Sequence, residues 1–146
     1  MDGMDQAAVR DFVYQHWDMV ADRVDPLSGG MNSQTWSVTS GDERWVLKVV
    51  TPKGAQGLEA GLLAALALEA DGIPAGAPKA AKAGPLCVRL PEASAALLRW
   101  VDGRELDGQS ASEISLIGKT LGRAHRVLVA STIVNAPSFD WIDLRA

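Results

Sequence analysis

A chain of 146 residues and 15.5 kDa has room for one domain, and at 47% hydrophobic and 22% charged residues it is neither disordered nor fibrous. Its single cysteine, Cys87, excludes an intramolecular disulfide framework and any multi-cysteine zinc or iron–sulfur site, and two histidines are too few for most imidazole metal centres. The net charge of -4 is concentrated in residues 1–25, where six acids stand against two bases, so no basic stripe is left for nucleic acid.

The N-terminus, Met-Asp-Gly-Met-Asp, lacks the positive charge and apolar run of a signal peptide. The longest apolar stretch, Ala60 to Leu68, is bounded by Glu59 and Glu69 and falls far short of a membrane span. The expectation is a cytoplasmic chain with neither membrane nor nucleic acid as partner.

Taken in chain order, Val9, Phe12, Val13, Trp17 and Val20 recur at helical spacing, and Asp25-Pro26 closes that helix. The period then changes. Trp36 and Val38 alternate with polar residues as a half-buried strand, Ser40-Gly41-Asp42 turns the chain, and Arg44 to Val50 is a second strand antiparallel to the first. A helix from about Gln56 to Asp71 carries Leu58, Leu62, Leu66 and Ala70 on one face and stops at Gly72 with Ile73-Pro74. Short edge strands and loops fill residues 74–86, and Ser94 to Val101 forms a further strand. Ser110 and Glu113 make a capping box before a last helix, whose stripe is Ile114, Ile117, Leu121, Ala124, His125 and Leu128. The fold class is α+β with a small antiparallel sheet.

Lys48 is the residue whose position asks for an explanation. On its strand it shares one side with Val46 and Val50, so its stem lies among apolar neighbours and its ammonium must reach water or a fixed anion. Glu59, near the start of the next helix, is the candidate to hold it in place. Upstream, Leu27 to Trp36 sets paired glycines and small polar residues between two strands, a backbone able to approach an anion closely. The segment is neither a G-x-G-x-x-G nor a Walker loop.

These pieces, in this order, resemble the amino-terminal lobe of the protein-kinase-like fold, and more specifically the aminoglycoside phosphotransferase and choline kinase-like family. The similar stretches are Ser28-Gly-Gly-Met-Asn-Ser33, Trp45-Val-Leu-Lys48, Leu58-Glu59 with Gly72-Ile-Pro74, Leu97-Leu-Arg-Trp-Val-Asp-Gly103, and Ile117-Gly-Lys-Thr-Leu-Gly-Arg-Ala-His125.

The resemblance implies ATP with magnesium as cofactor. Lys48 would hold the phosphates, Glu59 would hold Lys48, and the turn carrying Ser28, Gly29, Gly30, Asn32 and Ser33 would cover them. Val38 and Val46 would line the base pocket, and the hinge through Arg99, Trp100 and Val101 would read the adenine edge. His125 would be a packed core histidine.

It also implies three divisions. Residues 1–23 form an N-terminal helix and 24–101 the ATP-binding lobe with its αC-type helix. Residues 102–146 form the hinge exit, a helix and the beginning of a second lobe. The family's His-x-Asp-x-x-x-x-Asn catalytic loop does not occur in the sequence, so nucleotide binding without turnover is expected of this chain, the whole enzyme acting on a small-molecule hydroxyl. A free-standing, non-catalytic nucleotide-binding or regulatory module is the alternative, with Phe139 and Trp141 of the C-terminal segment packed internally or in a dimer.

Overall fold

The computed structural model describes residues 4–28 and 33–133. Helix α1, Gln6–Trp17, begins where the Asp5 carboxylate accepts the Ala8 N–H at 2.8 Å, and it buries Val9, Val13 and Trp17, one above another at four-residue spacing. It ends at Asp18, whose left-handed backbone (φ 56°) lets its N–H reach the Tyr14 carbonyl at 3.0 Å. The helix therefore closes well before Asp25-Pro26. Those two residues lie instead in strand β1, Arg23–Leu27, at the sheet edge, where a proline costs no ladder bond.

Strands β2, Ser33–Ser40, and β3, Glu43–Val50, form the expected antiparallel hairpin, with Val38 opposite Trp45 and Thr35 opposite Lys48. A single 3-10 turn at Pro52–Gly54 leads into helix α2, Ala55–Ala70. Strands β4, Pro78–Lys79, β5, Val88–Leu90, and β6, Ala93–Arg99, follow. Helix α3, Ala111–Ala130, is the last described element. The sheet runs β1-β2-β3-β6-β4, with β5 also paired to β6, and every pairing is antiparallel.

Strand alternation gives the sheet two different faces. One packs on α1, where Val24, Val38, Leu47 and Leu97 join Val9 and Val13, all of them 2% exposed or less. The other turns toward α2 and holds a smaller cluster of Val50, Ala96, Cys87, Leu58 and Leu62.

Helix α3 starts at the expected cap, Ser110 accepting the Glu113 N–H at 3.2 Å, and Arg104 pairs with Glu113 at 2.5 Å. It buries none of its residues: Ile114, Leu121 and Val129 are exposed, and so is His125. The packed core histidine expected there is thus corrected: His125 is exposed, while Ile117, Ala124 and Leu128 of the same stripe are half-buried. Arg123 ties α3 to the end of α2 through the Asp71 carboxylate at 2.6 Å and the Asp71 carbonyl. Among the described residues no helix is long and apolar enough to cross a membrane.

Candidate functional site

On β3, Lys48 stands half-buried between Val46 and Val50 on the α2 side of the sheet, with β6 Ala96 beside it in register. Between β3, β6 and α2 lies a cavity of about 350 Å³, lined by Lys48, Leu98, Gly76 and the Gly57–Gly61–Leu62 surface of α2. Among the described residues no carboxylate comes within ion-pair distance of Lys48, since the six salt bridges involve other cations.

Glu59 is not at this cavity. It points from another side of α2 toward β5, where its carboxylate takes both the Arg89 Nε, at 3.0 Å, and a guanidinium NH2, at 2.5 Å. Glu59 stands two positions from each of Gly57 and Gly61, about 200° around the helix, so it faces away when the glycines face Lys48. The expected Lys48–Glu59 pair is corrected on that ground. Glu59 also accepts from the Cys87 thiol at 3.6 Å, and burial together with the Glu59 charge raises the Cys87 pKa above its ordinary value. These three side chains border a second, mostly apolar cavity of about 550 Å³ with Leu62, Leu63 and Leu86.

Val38, expected at the same site as Val46, is fully buried on the α1 face. Antiparallel register puts it opposite Trp45, which shares that face, while Ser37 is the residue opposite Val46. Ser28 is exposed and Ser33 half-buried beside Val50, on either side of the glycine segment. Gly29, Gly30 and Asn32 lie outside the described residues, as do Phe139 and Trp141.

The hinge expected at Arg99, Trp100 and Val101 begins at the last residue of β6. Two of its three amides are already used: Arg99 N–H donates to the Ala77 carbonyl at 3.0 Å and Trp100 N–H to the Arg44 carbonyl at 3.1 Å. The Trp100 ring is clamped as well, with the Arg44 guanidinium 3.7 Å above its centroid and its indole N–H on Asp102 at 3.0 Å. Among the described residues nothing accepts the Val101 N–H, and Val101 is 41% exposed.

Sequence reading missed Glu69. From the end of α2 its carboxylate accepts the Ala77 N–H at 2.8 Å and the Ala75 N–H at 3.4 Å, with the Arg99 guanidinium 3.7 Å away. The Ala77 hydrogen bond leads the causes that hold its pKa below the ordinary carboxylate value, against the opposing effect of burial. The one available signal was a glutamate three residues before Gly72-Ile-Pro74, where a chain turning back needs its amides satisfied.

The sequence profile of the phosphotransferase enzyme family matches residues 23–146. No curated protein sequence matches the chain. Among solved structures it is similar to spectinomycin phosphotransferase APH(9)-Ia in complex with ADP and spectinomycin, at 14% identity and a TM-score of 0.71, over 92% of this chain and 41% of that one. It is also similar to an amicoumacin kinase in complex with AMP-PNP, Ca2+ and Ami, at 13% identity and a TM-score of 0.78, over 94% of this chain and 45% of that one. A microcompartment-associated aminopropanol kinase matches at 18% identity and a TM-score of 0.68, again over 94% of this chain and 45% of that one. The likeness is one of fold, the expected kinase-like amino-terminal lobe, and the chain spans less than half the length of each of these structures.

Proposed function

The chain belongs to the phosphotransferase enzyme family, and from that premise we propose that it supplies the nucleotide-binding part of a kinase that transfers the terminal phosphoryl group of ATP to a hydroxyl of a small molecule. Lys48 carries this reading: an ammonium on an interior strand, at a cavity, with no carboxylate partner among the described residues. An anion from outside the chain would complete it, and phosphate is the anion this family handles.

In this assignment Lys48 meets the nucleotide phosphates, and the segment from Ser28 to Ser33, with Gly29, Gly30 and Asn32, closes over them. Val46 and Leu98, paired across β3 and β6, flank the base. The hinge offers the Val101 N–H as the donor for the base edge, because the Arg99 and Trp100 amides are taken. Glu59 has no part in it, and neither has Val38. The ATP-binding lobe is assigned to residues 24–101, and 102–146 to the connection toward the acceptor.

The nucleotide would bring magnesium with it. Among the described residues no three His, Cys, Asp or Glu side chains converge. The sequence likewise holds no His-x-Asp-x-x-x-x-Asn loop to take the acceptor's proton. Binding without turnover is the expected behaviour of the 146-residue chain.

Calorimetric titration with ADP tests the reading. Wild-type chain should bind, and Lys48→Ala should weaken binding about tenfold or more, the loss of a charge-assisted contact worth roughly 1.5–3 kcal/mol. A wild type that binds no ADP would sink the proposal, and equal binding by both proteins would remove Lys48 from it.

A further inference from the structure

Three contacts close a ring behind the hinge. The Glu69 carboxylate accepts the Ala77 N–H, the Ala77 carbonyl accepts the Arg99 N–H, and the Arg99 guanidinium returns to Glu69. The ring ties together three parts of the chain that are distant in sequence: the end of α2, the connector of residues 72–77, and the last residue of β6. Glu69 is the member that belongs to α2, and its side chain is only 19% exposed.

The connector it holds is placed between the two halves of the proposed nucleotide site. Ala75 and Gly76 line the cavity of Lys48, while Gly72, Ile73 and Pro74 line a separate cavity of about 310 Å³ with Glu69 and the hinge residues 99–102. Gly76 adopts φ +71°, and a Cβ built on it would lie 3.1 Å from the Arg99 carbonyl oxygen. Backbone therefore runs against backbone at the hinge, with no side chain between to absorb a shift.

We infer that Glu69 is a positioning residue for base recognition: by fixing the connector and Arg99 to α2 it sets the direction of the hinge backbone that follows, and with it the Val101 N–H. The inference rests on the nucleotide reading given above. A lone surface ion pair would not carry it, since such pairs contribute little. Here one carboxylate satisfies two backbone amides of a turn and also faces the guanidinium of the strand that the turn touches. The depressed pKa of Glu69 fits a carboxylate that those amides hold in its ionised form.

The test separates base from phosphate on the 146-residue chain. Wild type, Glu69→Gln and Lys48→Ala are each titrated with ADP and with inorganic tripolyphosphate, and the amides of residues 75–77 and 99–101 are followed by NMR hydrogen exchange. Glu69→Gln keeps the shape but gives up the charge. It should lose about tenfold in ADP affinity, the effect of one charged hydrogen bond, and stay within about twofold for tripolyphosphate, while Lys48→Ala weakens both.

In the same variant the Ala77 and Arg99 amides should exchange faster. Gly76→Ala, which presses on the ring from its other side, should speed the same two amides without touching a charge. Unchanged ADP binding and unchanged hinge exchange in Glu69→Gln would overturn the inference and leave the nucleotide reading intact. An equal loss for both ligands would mark Glu69 as merely structural and overturn it too. A wild type that binds neither ligand would remove the nucleotide reading and this inference with it.

Discussion

The two faces of the sheet are built from the same strands and have opposite character. Toward α1, Leu47, Leu97, Val38, Val9 and Val13 are sealed at zero exposure. Toward α2, alternate residues of those strands meet cavities, a lysine and a helix with glycines on its near side. A side-chain period of two lets each strand present both: one side is sealed against α1, and the other keeps cavities and a lysine beside its smaller cluster. Strand β3 makes the division residue by residue, with Trp45, Leu47 and Val49 inward and Val46 and Lys48 on the open side.

This contrast can be broken or sharpened by substitution. Leu97→Ala, on the closed face, should cost about 2–5 kcal/mol of unfolding free energy by urea titration, with ADP affinity unchanged in the protein that stays folded. Lys48→Ala, nearby on the open face, should reverse the pattern: the affinity loss described above, with stability within about 0.5 kcal/mol of wild type. Comparable destabilisation by both would dissolve the distinction.

A smaller effect is expected with acid. The folded-state pKa of Glu69 lies below its ordinary value of 4.5, so its contribution is complete above that value and is lost as pH falls through the depressed one. Thermal melts across the acid range should therefore show wild type losing its advantage over Glu69→Gln as the pH drops. An advantage that persisted to the most acid pH would contradict the depressed pKa.

A small stability change is also expected of Glu59→Gln. Its pair is with a largely exposed Arg89, where solvent screens the attraction, so stability should stay close to wild type. The same substitution should nevertheless speed alkylation of Cys87 at mildly alkaline pH, because after burial the Glu59 charge is the next cause that raises the thiol's pKa. A slower reaction would show that Glu59 does not control the thiol.

Much of the fold was legible in the sequence because it rests on local signals. The hairpin shows in alternation across Ser40-Gly41-Asp42, α2 stops at Gly72, and Ser110 with Glu113 marks the start of α3. Strand β1 was hidden because Pro26 reads as a terminator, and only an edge position makes it acceptable. Lys48 was found from its own improbable surroundings. Its supposed partner was not, since spacing along a chain does not say which side of a helix faces which strand. Val38 failed for a related reason: its side of the sheet depends on register with β3, which is set by the whole hairpin. Glu69 left only its place before Gly72-Ile-Pro74 as a signal, because the amides it satisfies come from a turn without regular structure.

Gly57 and Gly61 bear on how this molecule could be improved. They lie one turn apart on α2 at the Lys48 cavity, and a methyl group added at either would meet nothing within 4 Å. Alanine at each position would fit, and would stabilise the helix by about 0.5–1 kcal/mol. The same two methyl groups would narrow the space in front of the lysine. Thermal robustness and room for a ligand therefore compete at the same two carbon atoms, so a search for hardier variants would fill this groove first.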